Sequence, residues 1–299
     1  MAAVKIVYLI LCHKSAEQVI RLIARLRAEG SFFVVHVDEK APITVSRVLQ
    51  SFSAQSSDTI LARQVRCYWG AFSIVQATIN CIHEAILSKR PFDYAMLLSG
   101  QDYPIKSARD IQRFLANNKG AEFIEAFRLD RPHKWDGCYF NGMNRVQFYT
   151  FFVRGLRFHL KVKRRFPFSW VPHGGSQWWC LTHECVSYIH QFLLDNPSCV
   201  RYFKRVFIPD ETMFQSMVAN SSFAKHIFGA DLRYVDWTNP NPLLPRILEE
   251  TDFEKIRSSP NLIARKFDAD KSRELLNQID KLIWDNPPLE RRHEIPTHR

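Results

Sequence analysis

Short apolar runs alternate with amphipathic segments through the N-terminal part of the chain. The runs at 4–11, 32–37 and 94–98 lack the polar–apolar alternation of a half-exposed strand, which predicts strands buried on both faces. A weaker run at 63–67 predicts another strand before the last of these. Apolar side chains at helical spacing separate the runs, and strand–helix–strand units join parallel strands. The pattern therefore predicts an α/β fold with a mostly parallel central sheet flanked by helices.

The segment after the run at 94–98 carries a dense group of candidate site residues. Ser99 and Gly100 end the predicted strand, and glycine permits a sharp turn and a close approach of backbone to a ligand. Gln101 and Asp102 then lie at the carboxyl end of a central strand, where open α/β sheets bind their ligands. The competing interpretation is an ordinary polar loop between a strand and a helix.

Other candidates fall at the same edge of the sheet because they follow the other predicted strands. His13 follows the first strand and Asp38 follows the second. Trp69, Gly70 and Ser73 open the helix after the third. Since the carboxyl ends of parallel strands share one edge, these residues are candidates for the lining of a nucleotide pocket.

The second half of the chain is less regular. Residues 130–172 are aromatic, basic and irregular, which predicts short strands and loops. Beyond them, the pattern predicts a strand at 174–181, a helix opening at 208–211, a strand at 232–237 and a last helix at 272–284.

Basic residues outnumber acidic ones, since 41 Lys and Arg against 30 Asp and Glu give the 299-residue chain a formal net charge of +11. This charge favours anionic partners, although it is also a common means of solubility. The densest stretch is Lys161–Arg165, followed by Phe166, Phe168 and Trp170. That pattern suits either peripheral contact with an anionic membrane or the rim of an acceptor site. No nucleic-acid-binding motif accompanies the charge, so we expect no nucleic-acid partner.

Cysteine usage and hydropathy bear on the compartment. Seven cysteines, an odd number without a CxxC spacing, predict reduced thiols. No apolar run approaches the roughly 20 residues of a membrane-spanning helix, and the N-terminus lacks the pattern of a signal peptide. We therefore expect a cytoplasmic protein, with any membrane contact peripheral and at the inner face.

Seven short motifs follow one another along the chain: CHK at 12–14, HVDEK at 36–40, YWGAFSIVQATINC at 68–81, LLSGQDYPIKS at 97–107, GGSQWWCLT at 174–182, PDETMFQS at 209–216 and ARKFD at 264–268. Each is weak alone, but their order argues against a chance match. Together they resemble the core-2/I-branching β-1,6-N-acetylglucosaminyltransferase family (glycosyltransferase family 14), which includes the peptide O-xylosyltransferases. The chain looks like a bacterial-type stand-alone catalytic domain, because it shows no sign of the anchor, stem and disulfides of animal members.

The resemblance implies a GT-A-like fold and a specific reaction. A sugar, N-acetylglucosamine or xylose, would pass with inversion from a UDP-sugar to a hydroxyl of a glycan acceptor. No divalent metal and no other cofactor would be needed. We expect one catalytic domain at 1–286, with a nucleotide-binding half at 1–120 and an acceptor- and diphosphate-binding half at 121–286. Residues 287–299 would form a polar tail.

Glu211 is the candidate catalytic base. Inverting transfer needs a group that accepts the proton of the attacking hydroxyl. Glu211 matches the last residue of the family's Pro-Asp-Glu motif, and it is predicted to lie in the first turn of a helix, where the helix dipole favours a carboxylate. The competing interpretation is an ordinary glutamate that stabilises its helix.

Arg246 and Lys266 are the candidate diphosphate ligands that the resemblance implies. Two fixed cations can offset the charge that develops on a leaving diphosphate. Lys266 stands in a Lys-Phe-Asp motif, whereas Arg246 follows a proline-rich loop of variable length. The Asp-x-Asp at 268–270 is interpreted as a helix start capped by Asp270, because a metal-binding Asp-x-Asp would follow the central strand.

The remaining candidates concern the donor and the acceptor. By its motif, Asp38 is expected to contact uridine, while Gln101 and Asp102 face the sugar or the acceptor. Gln177 and Trp178 belong to the same group, and the indole of Trp178 offers a flat face for a sugar ring. The xylosyltransferase branch has an aspartate in place of Gln177, so the donor stays open. The alternative functions are a peptide O-xylosyltransferase-like enzyme and an inactive sugar-nucleotide-binding module.

Overall fold

The computed structural model of the protein describes residues 3–137, 142–153, 156–241 and 244–285. Within them, the strands are β1 (Ile6–Cys12), β2 (Phe32–Val37), β3 (Thr59–Leu61), β4 (Tyr94–Ser99), β5 (Asp102–Pro104), β6 (Phe123–Ile124), β7 (Phe127–Arg128), β8 (Tyr149–Val153), β9 (Leu156–Leu160), β10 (His173–Gly174), β11 (Trp179–Thr182), β12 (Arg233–Val235) and β13 (Ile263–Arg265). The α-helices are α1 (Ala16–Leu26), α2 (Ile43–Gln55), α3 (Phe72–Leu87), α4 (Ala108–Asn117), α5 (Gly142–Gln147), α6 (His183–Asp195), α7 (Pro197–Phe203), α8 (Met213–Ala219), α9 (Phe253–Ser258) and α10 (Arg273–Asp285). Short 3₁₀ helices lie at Pro167–Ser169, Pro209–Glu211, Ser222–His226 and Glu250–Asp252. The expected polar tail at 287–299 falls outside the described residues.

The central sheet has six strands in the order β3-β2-β1-β4-β11-β6. The first four are parallel, with Leu11 paired to His36 on one side and to Ser99 on the other. The last two strands, β11 and β6, run antiparallel to their neighbours. The prediction of an α/β fold, with a mostly parallel central sheet flanked by helices, is confirmed.

Both faces of this sheet are covered, which explains why its strands lack alternation. On β1, Ile6, Tyr8 and Ile10 enter one apolar cluster, while Val7 and Leu9 enter the other. Helix α1 covers the first face and α3 the second. Apolar side chains therefore occupy most positions of the central strands, on both faces.

The predicted strand at 63–67 is wrong. The third strand lies earlier, at Thr59–Leu61, after a helix (Ile43–Gln55) that the pattern did not reveal. Side chains at the end of β2 hold residues 63–67 as a loop. His36 Nε2 accepts a hydrogen bond from the Val65 amide at 3.0 Å, and Asp38 Oδ1 accepts one from Cys67 at 3.2 Å. These tertiary contacts replace a strand ladder.

A second, three-stranded sheet in the order β12-β13-β5 adjoins the central one. Strand β5 follows β4 after a two-residue turn and pairs antiparallel with β13, so that Asp102 lies opposite Arg265. The irregular region at 130–172 contains α5 and the isolated hairpin β8–β9, in agreement with the expected short strands and loops. Among the helices of the described residues, none has both the length and the apolar character of a membrane span.

Candidate active site

A cavity of about 1730 Å³ opens at the carboxyl ends of the parallel strands. This is the edge at which the sequence predicts a site. Eight of the candidate residues line the cavity: His13, Asp38, Trp69, Gln101, Gln177, Trp178, Glu211 and Lys266. The other four, Gly70, Ser73, Asp102 and Arg246, lie outside its lining.

The end of β2 fixes Asp38 at the cavity wall. Its Oδ1 accepts hydrogen bonds from the Lys40 amide at 2.8 Å and the Cys67 amide at 3.2 Å, and its own amide donates to Cys12 O. His13 lies beside it at the end of β1, where burial and Lys14 lower the pKa of its imidazole. A neutral imidazole and a fixed carboxylate can both hydrogen-bond to a polar ring such as uracil.

Trp69 and its neighbours have different roles. Trp69 is 51% exposed at the cavity and packs edge-on against Phe207, with 5.8 Å between ring centroids. Gly70 has φ +73°, and a Cβ there would lie 2.7 Å from Phe207, so both conformation and packing require glycine. Ser73 Oγ accepts a hydrogen bond from the Tyr68 amide at 2.9 Å. The expectation that Gly70 and Ser73 line the pocket is corrected, because they support the loop that carries Trp69.

Asp102 does not face the cavity, which corrects the expectation that it contacts substrate. Its side chain is fully buried and pairs with Arg265 at 2.6 Å and Arg233 at 3.4 Å. The Ser99 amide donates a further hydrogen bond to Oδ2 at 3.0 Å. A carboxylate enclosed in this way can only act through its partners, and Arg265 is a partner that lines the cavity.

Trp178 lines the cavity, and its ring also forms cation–π contacts with the two arginines that pair with Asp102. The guanidinium carbons of Arg265 and Arg233 lie 4.5 Å and 5.3 Å from the ring centroid. Stacking on a cation–π partner holds a guanidinium in place. We interpret Trp178 first as a support for Arg265, and its stacking on a sugar ring stays a prediction.

Arg246 is held away from the cavity by two carboxylates. Its NH2 group contacts Asp236 at 2.7 Å and Asp252 at 2.5 Å. Hydrogen bonds from Thr238 and from Arg246 lower the pKa of Asp236. The structure therefore gives Arg246 a structural position outside the cavity lining to which Lys266 belongs. Arg265, adjacent to Lys266 in the chain, is the arginine that shares the cavity with it.

Lys266 presents a cation to the cavity. Burial, together with Arg265 and Lys14, lowers the pKa of its ammonium group. Within the described part of the chain, no carboxylate lies within ion-pair distance of it, whereas Lys14 pairs with Asp268 at 2.6 Å. A cation in this setting is favourably placed to receive an anionic ligand.

Glu211 ends the short 3₁₀ helix Pro209–Glu211, two residues before α8, so it is not in the first turn of an α-helix as predicted. Its carboxylate forms an ion pair with Arg145, whose guanidinium stacks on Trp135 at 4.1 Å. Burial raises the pKa of Glu211, and Arg145 opposes that rise. The side chain stays 30% exposed, so the carboxylate is both held in place and reachable.

Asp210 is a second carboxyl group at the cavity. Burial and the neighbouring Glu211 raise its pKa to about 7. Its Oδ1 is buried without a hydrogen-bond partner in the described residues. Of the two carboxyl groups, Glu211 is the one with an arginine partner, so negative charge on the pair is better stabilised at Glu211 than at Asp210.

The loop before β11 locks these carboxylates in place. The Gly175 amide donates to Glu211 O at 3.0 Å, and Gln215 Nε2 donates to both Ser176 O and Asp210 O. A Cβ on Gly175 would lie 1.9 Å from Glu125 O, so only glycine fits where these two segments of the chain cross. The GGSQ and PDE motifs, distant in sequence, therefore form one unit.

Sequence reasoning missed Arg145 and Arg265. Arg265 stood beside Lys266 within the ARKFD motif, and that adjacency was the available signal. Arg145 had none, because it lies 66 residues from Glu211 in an irregular region. In the part of the chain that the structure describes, no cluster of three or more His, Cys, Asp or Glu side chains could hold a metal ion. At the Asp-x-Asp, Asp268 and not Asp270 accepts the backbone amides of the following turn.

A family model for the core-2/I-branching enzyme matches residues 6–257. The chain belongs to the core-2/I-branching enzyme family. This family of glycosyltransferases is the one that the motifs indicated. Xylosyltransferase 1 of Homo sapiens is 22% identical over 95% of this chain and 31% of its own length. Xylosyltransferase 2 of Bos taurus is also 22% identical, over 95% of this chain and 34% of its own. The chain thus spans about a third of the length of these relatives.

Solved structures show a remoter likeness. A glucose-1-phosphate thymidylyltransferase from Bacillus anthracis aligns with a TM-score of 0.32 and 11% identity, over 61% of this chain and 74% of that one. A UDP-glucose pyrophosphorylase from Leishmania major aligns with a TM-score of 0.32 and 8% identity, over 64% of this chain and 52% of that one.

Proposed function

We propose that this member of the core-2/I-branching enzyme family transfers a sugar from a UDP-sugar to a glycan hydroxyl, with inversion and without a metal ion. The observation that carries the proposal is one cavity whose lining contains a carboxylate, Glu211, and a cation, Lys266, that forms no ion pair within the described residues. At about 1730 Å³ the cavity exceeds the roughly 300–1,000 Å³ of a pocket for one small ligand, so a donor and an acceptor can occupy it together.

Glu211 is the proposed base. The acceptor hydroxyl attacks the anomeric carbon, its oxygen forms the new glycosidic bond, and its proton passes to the Glu211 carboxylate. The bond from the anomeric carbon to the diphosphate oxygen breaks at the same time. Arg145 supports this role because its positive charge stabilises the carboxylate and opposes the rise in pKa that burial causes.

The leaving diphosphate is assigned to Lys266 and Arg265. Lys266 supplies a cation that has no carboxylate partner among the residues that the structure describes, and Arg265 is oriented by Asp102 and Trp178. Positioned cations of this kind stabilise the charge that accumulates on a leaving group. Asp38 and His13, at the ends of β2 and β1, are assigned to the uridine.

The donor sugar is proposed as N-acetylglucosamine or xylose. The curated relatives are named xylosyltransferases, which favours xylose, whereas Gln177 departs from the motif of that branch. A cytoplasmic location agrees with free thiols at all six cysteines of the described residues, and it stays part of the proposal. Cys138 falls outside them.

The test is a panel of UDP-sugars offered to the whole protein, with and without EDTA. A donor that binds should raise the melting temperature, since a ligand of the native state adds stability by mass action. Release of UDP, with water or a glycan as acceptor, then reports transfer. EDTA should change neither result. Loss of binding in EDTA would overturn the metal-free mechanism, and donor binding without turnover would favour the binding module.

A further inference from the structure

The outer face of the β8–β9 hairpin exposes a row of apolar side chains. Leu156, Phe158, Leu160 and Val162 are 65%, 51%, 51% and 53% exposed. Leu156, Phe158 and Leu160 are every second residue of β9, so along the strand they project to one side, and Val162 lies two residues beyond the end of β9. Isolated exposed apolar residues are ordinary, but a contiguous row of them marks an interaction surface.

The opposite face of the hairpin attaches it to the rest of the molecule. Arg157 lies 4.2 Å over the ring of Phe207, and the His159 ring packs against the same phenyl group at 5.5 Å. The Thr150 amide donates to Arg205 O at 2.8 Å. The hairpin is therefore held through one face, and the apolar row is left on the other.

Charge around the row is of one sign. Between Asp136 and Glu184 the sequence has no acidic residue but seven basic ones: Arg145, Arg154, Arg157, Lys161, Lys163, Arg164 and Arg165. Lys161, Lys163 and Arg165 are exposed directly after β9. Cations alternate there with apolar side chains, as the sequence LKVKR at 160–164 shows.

The aromatic residues that the sequence singled out are not part of this surface. Phe168 packs against Trp170 and Phe192, with 4.9 Å and 5.4 Å between ring centroids. Phe166 packs edge-on against Tyr202 at 5.5 Å, and Trp170 packs against Phe192 at 5.2 Å. Arg164 is also engaged, because it donates to Tyr202 O and stacks on the same ring at 3.8 Å. The exposed apolar row lies upstream of them.

We propose that this face, formed by Leu156, Phe158, Leu160 and Val162 with Lys161, Lys163 and Arg165, docks on an anionic lipid bilayer. Apolar side chains enter the boundary of the acyl chains while neighbouring cations contact lipid phosphates. A protein partner is disfavoured because lysine is depleted from the cores of protein interfaces. A second copy is disfavoured because it would bring two basic stretches together.

Docking has a consequence for the cavity. Arg157 and Phe207, which join the hairpin to the molecule, also line the cavity wall. The bilayer would therefore lie close to the cavity mouth. The proposal does not depend on sugar transfer, because binding is measured without a donor.

The test is co-sedimentation of the whole protein with vesicles, either of phosphatidylcholine alone or with about a third phosphatidylglycerol. Binding should require the anionic lipid and weaken as salt is added. The double variant Lys161→Glu with Lys163→Glu should lose about 25-fold or more in binding, at roughly fivefold for each cation removed. The double variant Phe158→Ser with Leu160→Ser should lose about tenfold or more.

Matched controls change exposed residues elsewhere. Lys119→Glu with Lys271→Glu makes the same change of net charge, and Leu87→Ser removes an apolar side chain that is 56% exposed on α3. Both controls should keep vesicle binding within about twofold if local contacts decide it. Equal losses in controls and hairpin variants would overturn the proposal, as would no binding or equal binding to both vesicles.

A second measurement tests the proposal even if one of the hairpin double variants folds poorly. Phe158→Trp should add tryptophan fluorescence that brominated anionic lipids quench. The fluorescence that Leu87→Trp adds should not be quenched by these lipids. Absence of that quenching would overturn the proposal. The parent protein could instead bind no vesicles and form a dimer that the double variant Phe158→Ser with Leu160→Ser abolishes. In that case the occupant of the face would be a second copy of the chain and not a membrane.

Discussion

The cluster around Asp102 and the cluster around Glu211 are built from the same kinds of residue. Each pairs a carboxylate with arginine, and in each an arginine stacks on tryptophan, Trp178 in the first and Trp135 in the second. They differ in exposure, since Asp102 is 0% exposed with two arginines and Glu211 is 30% exposed with one. A fully enclosed and neutralised carboxylate can only hold its neighbours in place. A carboxylate with an open side and a raised pKa can exchange a proton.

The largest expected effect that separates the two clusters is catalytic. Glu211→Gln keeps the shape of the side chain but removes the base, so turnover should fall by roughly 100- to 10,000-fold. Affinity for UDP should barely change, because the base faces the acceptor and not the diphosphate. Single-turnover rates and UDP calorimetry measure the two quantities. Glu254→Gln, in an exposed ion pair with Arg257, is the control and should behave as the parent. Near-normal turnover in Glu211→Gln would move the base to Asp210.

Asp102→Asn should act mainly on stability. It leaves Arg233, which is 1% exposed, buried without its charge partner, and removing one member of a buried pair costs about 3–5 kcal/mol. Urea unfolding measures the loss. The control is Asp270→Asn. The side chain of Asp270 is 87% exposed in its ion pair, so this variant should lose less than about 1 kcal/mol of unfolding free energy. An Asp102→Asn protein with unchanged stability but lost UDP binding would assign Asp102 to the site itself.

Lys266 and Arg246 offer the same contrast among cations. Lys266→Ala should weaken UDP binding by roughly 10- to 100-fold, because it removes a charged hydrogen-bond donor, and should slow turnover as well. Arg246→Ala removes a guanidinium already bonded to Asp236 and Asp252, so it should lower stability while UDP affinity stays within about twofold. Calorimetry with UDP compares the two variants. The reverse order of affinities would restore Arg246 to the diphosphate site.

The smallest expected effect is on the pH dependence of stability. The pKa of Asp210 is about 7 when folded and near 4 when unfolded, so the native state binds the extra proton between these values. Its contribution to stability is present at low pH and decreases as pH rises towards 7. Asp210→Asn should remove that decrease. His36, with a pKa of about 4 in the fold, acts in the opposite direction in both proteins and cancels in the difference between them. That difference reports Asp210 together with Glu211, whose charge raises the pKa of Asp210. Identical pH profiles would contradict the raised pKa.

Prediction from sequence succeeded where local pattern and burial coincide. Strand β2 was predicted at its observed bounds because each of its residues is buried and apolar character is continuous. Prediction failed at 63–67, where hydrogen bonds from His36 and Asp38 hold a loop in a β-rich stretch.

The sequence by itself determined the α/β class, the family and the edge of the sheet at which the site lies, because buried strands and short motifs are local properties of the chain. The tertiary structure alone decided which charged residues face the cavity. Asp102 and Arg246 carry the same charges as Glu211 and Lys266, and only their surroundings distinguish them. Those surroundings are contacts between residues far apart in the chain, such as Arg145 with Glu211 and Asp102 with Arg265. Burial and pairing set the reactivity of an ionisable group, and neither can be deduced from its neighbours in sequence.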